Sequence, residues 1–160
     1  MDNRNYVFTA TANDGEISKV EAALEHMQAK LLGDVKIFMI EDDQMISELV
    51  ITKLSQHGCI PYSTSDGAEA LNLATQFHPD VVILDLMLPG MTGEEILQAM
   101  KKDDNLKNIP VVVFSNNSEE DHRKKMLELG ADRYFVKAMT DLNDLVQELH
   151  SLAGASKENK

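Results

Sequence analysis

Hydrophobic and polar residues follow two alternating patterns along most of the chain, one typical of strands and the other of helices. Short apolar runs lie at 35–40, 59–63, 81–84, 111–114 and 134–136. Longer segments carry apolar residues at the three- and four-residue spacing of amphipathic helices, over 44–57, 68–76, 93–102, 118–130 and 140–152. The pattern predicts five strands that alternate with five helices.

Residues that start or stop helices stand at several of the predicted ends. Gly58 and Gly130 are expected to end the first and fourth helices. Ser118 with Asp121 resembles a capping box at the start of the fourth helix, and Thr140 is expected to cap the fifth. These signals set the predicted helix boundaries.

Strands that alternate with helices through short loops predict a parallel sheet covered on both faces. The run Val-Val-Ile-Leu at 81–84 is apolar throughout, which is typical of a central strand buried on both sides. Pro61 places the second strand at an edge. Right-handed crossovers then give a doubly wound α/β fold with a five-stranded sheet in the order 2-1-3-4-5.

Residues 1–34 lie outside this alternation and form an N-terminal extension. Residues 6–12 alternate like a short strand, and a predicted amphipathic helix over 16–32 carries a seam of Ile17, Val20, Leu24, Met27 and Leu31. Three interpretations of this helix stay open: packing on its own domain, a dimer contact, or a remnant of a former upstream domain. The predicted main domain is 35–152, and 153–160 is predicted to be a polar tail.

The charge balance narrows the classes of partner. The 27 acidic residues against 15 basic ones give a formal charge of −12, which argues against binding nucleic acid or an anionic membrane.

One cysteine, Cys59, excludes an internal disulfide. The first residues lack a signal-peptide pattern, and no apolar run reaches the roughly 20 residues of a membrane helix. A soluble, cytoplasmic protein is expected.

Polar residues follow four of the five predicted strands. They are Glu41, Asp42 and Asp43 after the first, Asp85 after the third, Ser115 at the fourth and Lys137 after the fifth. Ligands of open parallel sheets bind beyond the carboxyl ends of the strands. The strand order makes the first and third strands neighbours, so their carboxylates are expected to share one pocket.

The chemistry of this pocket suits a hard cation and a phosphoryl group. Two carboxylates about 4 Å apart repel by roughly 4 kcal/mol at an effective dielectric near 20, which a divalent cation relieves. Oxygen ligands favour Mg²⁺, which also accepts phosphate oxygens. Asp85 is then the natural nucleophile for an acyl phosphate, with Lys137 and Ser115 stabilising the transferred group.

Four stretches of the chain resemble the receiver domain of two-component response regulators, which has a flavodoxin-like fold. They are Ile40–Asp43, Pro79–Gly93, Val113–Ser115 and Gly130–Lys137. The resemblance extends from about Lys36 to Leu149. It implies a phosphoprotein of phosphorelay signal transduction that switches protein contacts and is not a turnover enzyme.

The resemblance also implies roles for individual residues. Asp85 resembles the phosphoacceptor, and Asp42 and Glu41 resemble the acidic pair that binds Mg²⁺ directly and through water. The backbone carbonyl of Met87 matches a further metal ligand, and Lys137 matches the family's lysine.

Ser115 and Tyr134 match the hydroxyl and aromatic switch positions, which remodel the face of the fourth helix, fifth strand and fifth helix. A histidine kinase or histidine phosphotransfer protein is the implied donor, and an unknown protein receives the output. We expect a stand-alone receiver, with homodimerisation through the N-terminal segment or the switch face as an alternative.

The sequence departs from the family pattern at one position, and two other functions compete with the receiver interpretation. Ala138 follows Lys137 where the family has proline after a cis bond, so this bond is either a strained cis form or trans. A phosphohydrolase of the haloacid dehalogenase type is one rival, but Met87 replaces its second aspartate. A phosphate-independent adaptor is the other, although none of the pocket residues is missing.

Overall fold

Strands and helices alternate from Lys36 to the end of the region that the computed structural model describes, which comprises residue 19 and residues 34–158. The strands are β1 Lys36–Ile40, β2 Ile60–Thr64, β3 Val81–Leu84, β4 Val111–Ser115 and β5 Arg133–Val136. The helices are α1 Gln44–Gln56, α2 Ala70–Phe77, α3 Gly93–Lys102, α4 Glu120–Glu128 and α5 Leu142–Glu158. The predicted strand at 6–12 and, apart from Lys19, the predicted helix at 16–32 lie outside the described residues.

The five strands form one parallel sheet in the order β2-β1-β3-β4-β5, which confirms the predicted doubly wound fold. β1 pairs with β3 in a register that aligns Ile40 with Leu84. The residues that follow these two strands therefore begin at the same level of the sheet, side by side.

Two hydrophobic cores cover the two faces of the sheet, because successive strand residues point to opposite sides. Phe38 and Leu84 pack with α2, α3 and α4 on one face. Met39 and Ile83 pack with α1 and α5 on the other. All four residues of β3 are buried, which is why its sequence is apolar without alternation.

The start of α4 differs from the capping-box prediction. Ser118 is not the cap: the helix begins at Glu120, and the preceding residue, Glu119, makes no capping hydrogen bond through its side chain. Asn117 organises this turn instead, since its Oδ1 accepts the amide hydrogen of Glu119 at 2.8 Å. This bond lies in the turn before the helix, so it does not replace the cap that was expected from Ser118.

The final helix also differs from prediction at both ends. Thr140 donates its hydroxyl to the carbonyl of Val136, and Asp141 accepts the amide of Asn143 at the helix start. The predicted end near 152 and the polar tail from 153 are wrong, because α5 continues to Glu158. Ala153 is fully buried and extends the apolar face of α5 by one more turn.

Among the described helices, none has both the length and the apolar character required to cross a membrane.

Candidate functional site

Three carboxylates converge at the carboxyl edge of the sheet, where β1 and β3 end together. The amide of Asp85 donates to the carbonyl of Ile40, which joins the two strand ends. Glu41, Asp42 and Asp85 each offer an oxygen within 4.8 Å of the others. Glu41 and Asp85 are buried, whereas Asp42 is exposed at the rim. The arrangement expected from the strand order is therefore present.

Lys137 brings one positive charge into this cluster. Its Nζ lies 2.6 Å from Oε2 of Glu41 and 3.3 Å from Oδ2 of Asp85, and its side chain is buried. Lys137 begins a short 3₁₀ turn after β5 and passes over the ring of Phe114 on β4, 5.8 Å from its centroid. The Lys137–Ala138 peptide is trans, and the ammonium still reaches both carboxylates.

The charge of the cluster is not balanced by Lys137 alone. Burial raises the pKa of Glu41 above its ordinary value of 4.5; the Lys137 ammonium opposes this rise, and the neighbouring Asp85 adds to it. The amide of Asp43 donates to Oε1 of Glu41 and also favours the ionised form. Three carboxylates facing one ammonium leave a negative pocket with oxygen donors, which suits a hard divalent cation.

The Asp85 carboxylate is held in a fixed orientation. Its Oδ1 accepts the amide hydrogens of Leu86 at 2.7 Å and Met87 at 3.3 Å, while Oδ2 faces Lys137. Neither amide was identified from the sequence, because any backbone group can play this part. A carboxylate fixed on one side and facing a cation on the other is suited to attack an electrophile.

Gly93 supports the loop that carries these donors. Its amide donates to the carbonyl of Leu86 at 3.2 Å, so the start of α3 lies directly against the loop after β3. A Cβ atom here would overlap the carbonyl oxygen of Asp85 and lie 2.6 Å from Cα of Leu86. The sequence indicated only that Gly93 opens a helix, and its close approach to the site was missed.

Ser115 and Tyr134 meet around Asn117. Ser115 is completely buried, and its Oγ accepts the amide hydrogen of Asn117 at 3.2 Å. The hydroxyl of Tyr134 donates to the carbonyl of Asn117 at 2.8 Å. Burial raises the pKa of Tyr134, and a hydrogen bond with Ser115 partly opposes this rise. The hydroxyl, the loop and the aromatic ring therefore form one connected unit beside the pocket.

Comparison with known proteins places this geometry in a family. The family described as the response regulator receiver domain matches residues 37–150. The phosphate regulon transcriptional regulatory protein PhoB of Escherichia coli (strain K12) is 36% identical over 102 residues, which are 64% of this chain and 44% of PhoB. The chain thus spans less than half the length of the first curated relatives that it matches.

Two solved structures share the fold at 29% identity. The phosphorylated cyanobacterial phytochrome response regulator RcpA has a TM-score of 0.64, with 80% of this chain and 97% of that chain covered. The Mn²⁺-bound form of the response regulator Rcp1 has a TM-score of 0.62, with 74% and 91% covered. The family match covers most of this chain, and these structures share its fold. The chain therefore belongs to the response regulator receiver domain family.

Proposed function

We propose that this chain is a phosphoacceptor switch and not a turnover enzyme. Asp85 receives a phosphoryl group from a phosphohistidine on a histidine kinase or a histidine phosphotransfer protein. The observation that carries the proposal is the buried Asp85 carboxylate, which faces Lys137 beside two further carboxylates. Among the related structures, RcpA has been solved in a phosphorylated form, which supports phosphorylation of this fold.

Asp85 acts as the nucleophile of the proposed transfer. A carboxylate oxygen forms a bond to phosphorus while the bond from phosphorus to the histidine nitrogen breaks, and the imidazole leaves. The backbone amides of Leu86 and Met87 hold the carboxylate in place. Lys137 is positioned to donate hydrogen bonds to the transferred oxygens, which carry the developing negative charge.

Glu41, Asp42 and Asp85 are the residues that we propose hold Mg²⁺, together with the backbone carbonyl of Met87. When bound, Mg²⁺ would supply positive charge that offsets the negative charge of the carboxylates and of the phosphoryl group. The all-oxygen donor set supports a hard ion. The Mn²⁺-bound form of Rcp1 supports a divalent cation in this family.

A rim of exposed apolar side chains supports a protein as the phosphoryl donor. Met45 and Leu49 on α1 are 80% and 59% exposed, and Met87 and Met139 are 74% and 80% exposed. Met45, Met87 and Met139 follow the pocket residues Asp42, Asp85 and Lys137 by two or three positions, and Leu49 lies about one helical turn after Met45. Exposed apolar side chains that follow the residues of a polar site in the chain support a surface that docks another protein.

The unit of Ser115, Asn117 and Tyr134 is the proposed output device. A phosphoryl oxygen on Asp85 accepts the hydroxyl hydrogen of Ser115 and draws this side chain toward Asp85, which pulls on the hydrogen bond that the Ser115 oxygen accepts from the amide of Asn117. Because Tyr134 binds the carbonyl of the same Asn117, a shift of this loop changes the packing of the aromatic ring. The face of α4, β5 and α5 is then remodelled for a downstream protein or a further relay.

The test is incubation with acetyl phosphate and Mg²⁺, followed by intact-mass measurement. We expect a gain of one phosphoryl group that EDTA prevents and that Asp85→Asn abolishes. Asp80→Asn is the matched control, because Asp80 precedes the same strand at its opposite end and its Oδ2 accepts the amide of Lys36. A gain that persists in Asp85→Asn, or none in the wild type, contradicts the proposal. Sustained release of phosphate from many esters would favour a hydrolase.

A further inference from the structure

Two large apolar side chains are exposed on β2, which is one of the two edge strands of the sheet. Ile60 and Tyr62 of β2 are 41% and 42% exposed. They are separated by one residue and pair with Lys36 and Phe38, so they lie on the face that carries the core of α2, α3 and α4. We call this pair the β2 strip.

The inner border of the β2 strip is already packed. The ring of Tyr62 lies 5.7 Å from that of Phe38 and 5.3 Å from that of Phe77 on α2, centroid to centroid. Lys36 borders Phe77 as well, because its Nζ donates to the Phe77 carbonyl at 3.1 Å and lies over the ring. The strip is therefore the exposed margin of an aromatic cluster.

The backbone edge of β2 does not suit an added strand. The amide of Ile60 donates inward to the carbonyl of Val35, so the next amide position faces outward. That position is Pro61, which has no N–H to offer. A helix that covers the strip from its face needs no hydrogen bonds from this edge.

We propose that the predicted helix at 16–32 packs its apolar seam onto the β2 strip of its own chain. The chain leaves this helix and enters β1, whose residue Lys36 pairs with Ile60. The seam residues Met27 and Leu31 are separated by about 6 Å along a helix. Ile60 and Tyr62 are separated by about 6.6 Å along a strand. Leu31 therefore reaches Ile60, and Met27 reaches Tyr62.

The charge of the chain favours its own helix over a second copy. Two copies with a formal charge of −12 each repel one another, whereas a short tether holds the segment at an effective concentration on the order of millimolar. Lys19, which lies outside the apolar seam, is helical and exposed, as a polar-face residue of this helix should be. Natural sheets often protect an exposed edge with such a covering helix. This contact is independent of the phosphoacceptor role of Asp85.

Disulfide trapping in the full chain tests this contact, in a Cys59→Ala background that removes the native thiol beside the strip. Leu31→Cys is combined with Ile60→Cys. The matched control combines Ala29→Cys with Ile60→Cys, because residue 29 faces away from the seam at 100° per residue. We expect the seam pair to form an intramolecular disulfide at least about tenfold faster than the control pair, as cross-linking needs Cα atoms within about 7 Å.

Equal rates for the two pairs overturn the proposal, and a disulfide-linked dimer overturns it in favour of a second copy on the strip. Circular dichroism verifies that each variant is folded, and the pair Met27→Cys with Tyr62→Cys replaces a first pair that fails to fold. In the unsubstituted chain, amides of residues 20–31 should exchange more slowly than in an isolated peptide of the same sequence. Equal exchange rates contradict the contact.

Discussion

Two consecutive aspartates after β1 have different surroundings. Asp43 is the N-cap of α1, and its Oδ1 accepts the amide hydrogen of Ile46 at 3.1 Å. Asp42 instead contributes its carboxylate to the acidic cluster with Glu41 and Asp85. Asp43 therefore stabilises a helix, whereas Asp42 adds charge repulsion to the metal-free protein.

Alanine substitution of these two residues should therefore change the stability in opposite directions. Without Mg²⁺, Asp42→Ala should raise the free energy of unfolding by about 1 kcal/mol, because its exposed carboxylate lies within 4.8 Å of the others and two such charges repel by about this amount in water. Asp43→Ala should lower it by about 1 kcal/mol through loss of the cap. Urea unfolding of both variants in EDTA measures the difference, and two changes of the same sign would contradict this interpretation.

At the residue scale, the pocket was largely predictable because its side chains follow strand ends. The positions of Glu41, Asp42 and Asp85 follow from the strand order alone. Lys137 was expected beside them because it follows the fifth strand, but its contacts with Glu41 and Asp85 could not be derived from the strand order. The bond from Tyr134 to the Asn117 carbonyl had no signal in the sequence, since a backbone oxygen looks the same at every residue.

The start of α3 fixes the position of the site through one helix end. Thr92 and Glu95 form a reciprocal capping box, in which the Thr92 Oγ1 accepts the amide of Glu95 and the Glu95 carboxylate accepts the amide of Thr92. Gly93 follows the cap and lies against the backbone of Asp85 and Leu86. The helix thereby supports the loop whose amides orient the Asp85 carboxylate.

Gly93→Ala should destabilise the protein by about 3 kcal/mol, because its methyl group must displace backbone atoms. Gly154→Ala is the matched control: residue 154 lies within α5, and a Cβ there meets no atom within 4 Å. This control should be more stable than the wild type by about 0.5–1 kcal/mol, as alanine is the better helix former. Thermal and urea unfolding measure both changes, and a Gly93→Ala variant as stable as the wild type would refute the close contact.

Element types were predictable from periodicity, but some element ends were not. The strands differ from prediction by only a residue at their ends, since apolar runs are bounded by polar turns. The start of α4 was missed because a run of polar residues precedes it, and Asn117 forms a turn with Glu119 that delays the helix to Glu120. The extension of α5 to Glu158 was missed because Ala153 is small and signals burial only weakly.

The topology of the whole molecule brings together charged side chains that are distant in sequence. The repulsion among the carboxylates lowers the stability of the metal-free protein. Two buried carboxylates and one at the rim share a single ammonium, so the metal-free protein retains repulsion in its pocket. A cation that binds the native state alone stabilises it by mass action. The fold is therefore expected to respond to Mg²⁺ as a whole.

Mg²⁺ should raise the unfolding midpoint temperature of the wild type. At a concentration 100 times its dissociation constant, it should increase the free energy of unfolding by about 2.7 kcal/mol. NaCl at matched ionic strength is the control, because the charge of −12 makes general screening stabilising as well. Asp42→Ala should lose the Mg²⁺-specific part and keep the NaCl effect. Differential scanning calorimetry separates the two, and equal shifts with Mg²⁺ and NaCl would argue against a specific site.

The role of Asp85 as phosphoacceptor is tested by locating the phosphoryl group on the chain. The wild type is incubated with acetyl phosphate and Mg²⁺ and then treated with borohydride, which reduces an aspartyl phosphate to homoserine. Peptide sequencing by mass spectrometry identifies the modified residue. We expect homoserine at position 85 alone, whereas modification at Glu41 or Asp42, or none at any residue, would contradict the role proposed for Asp85.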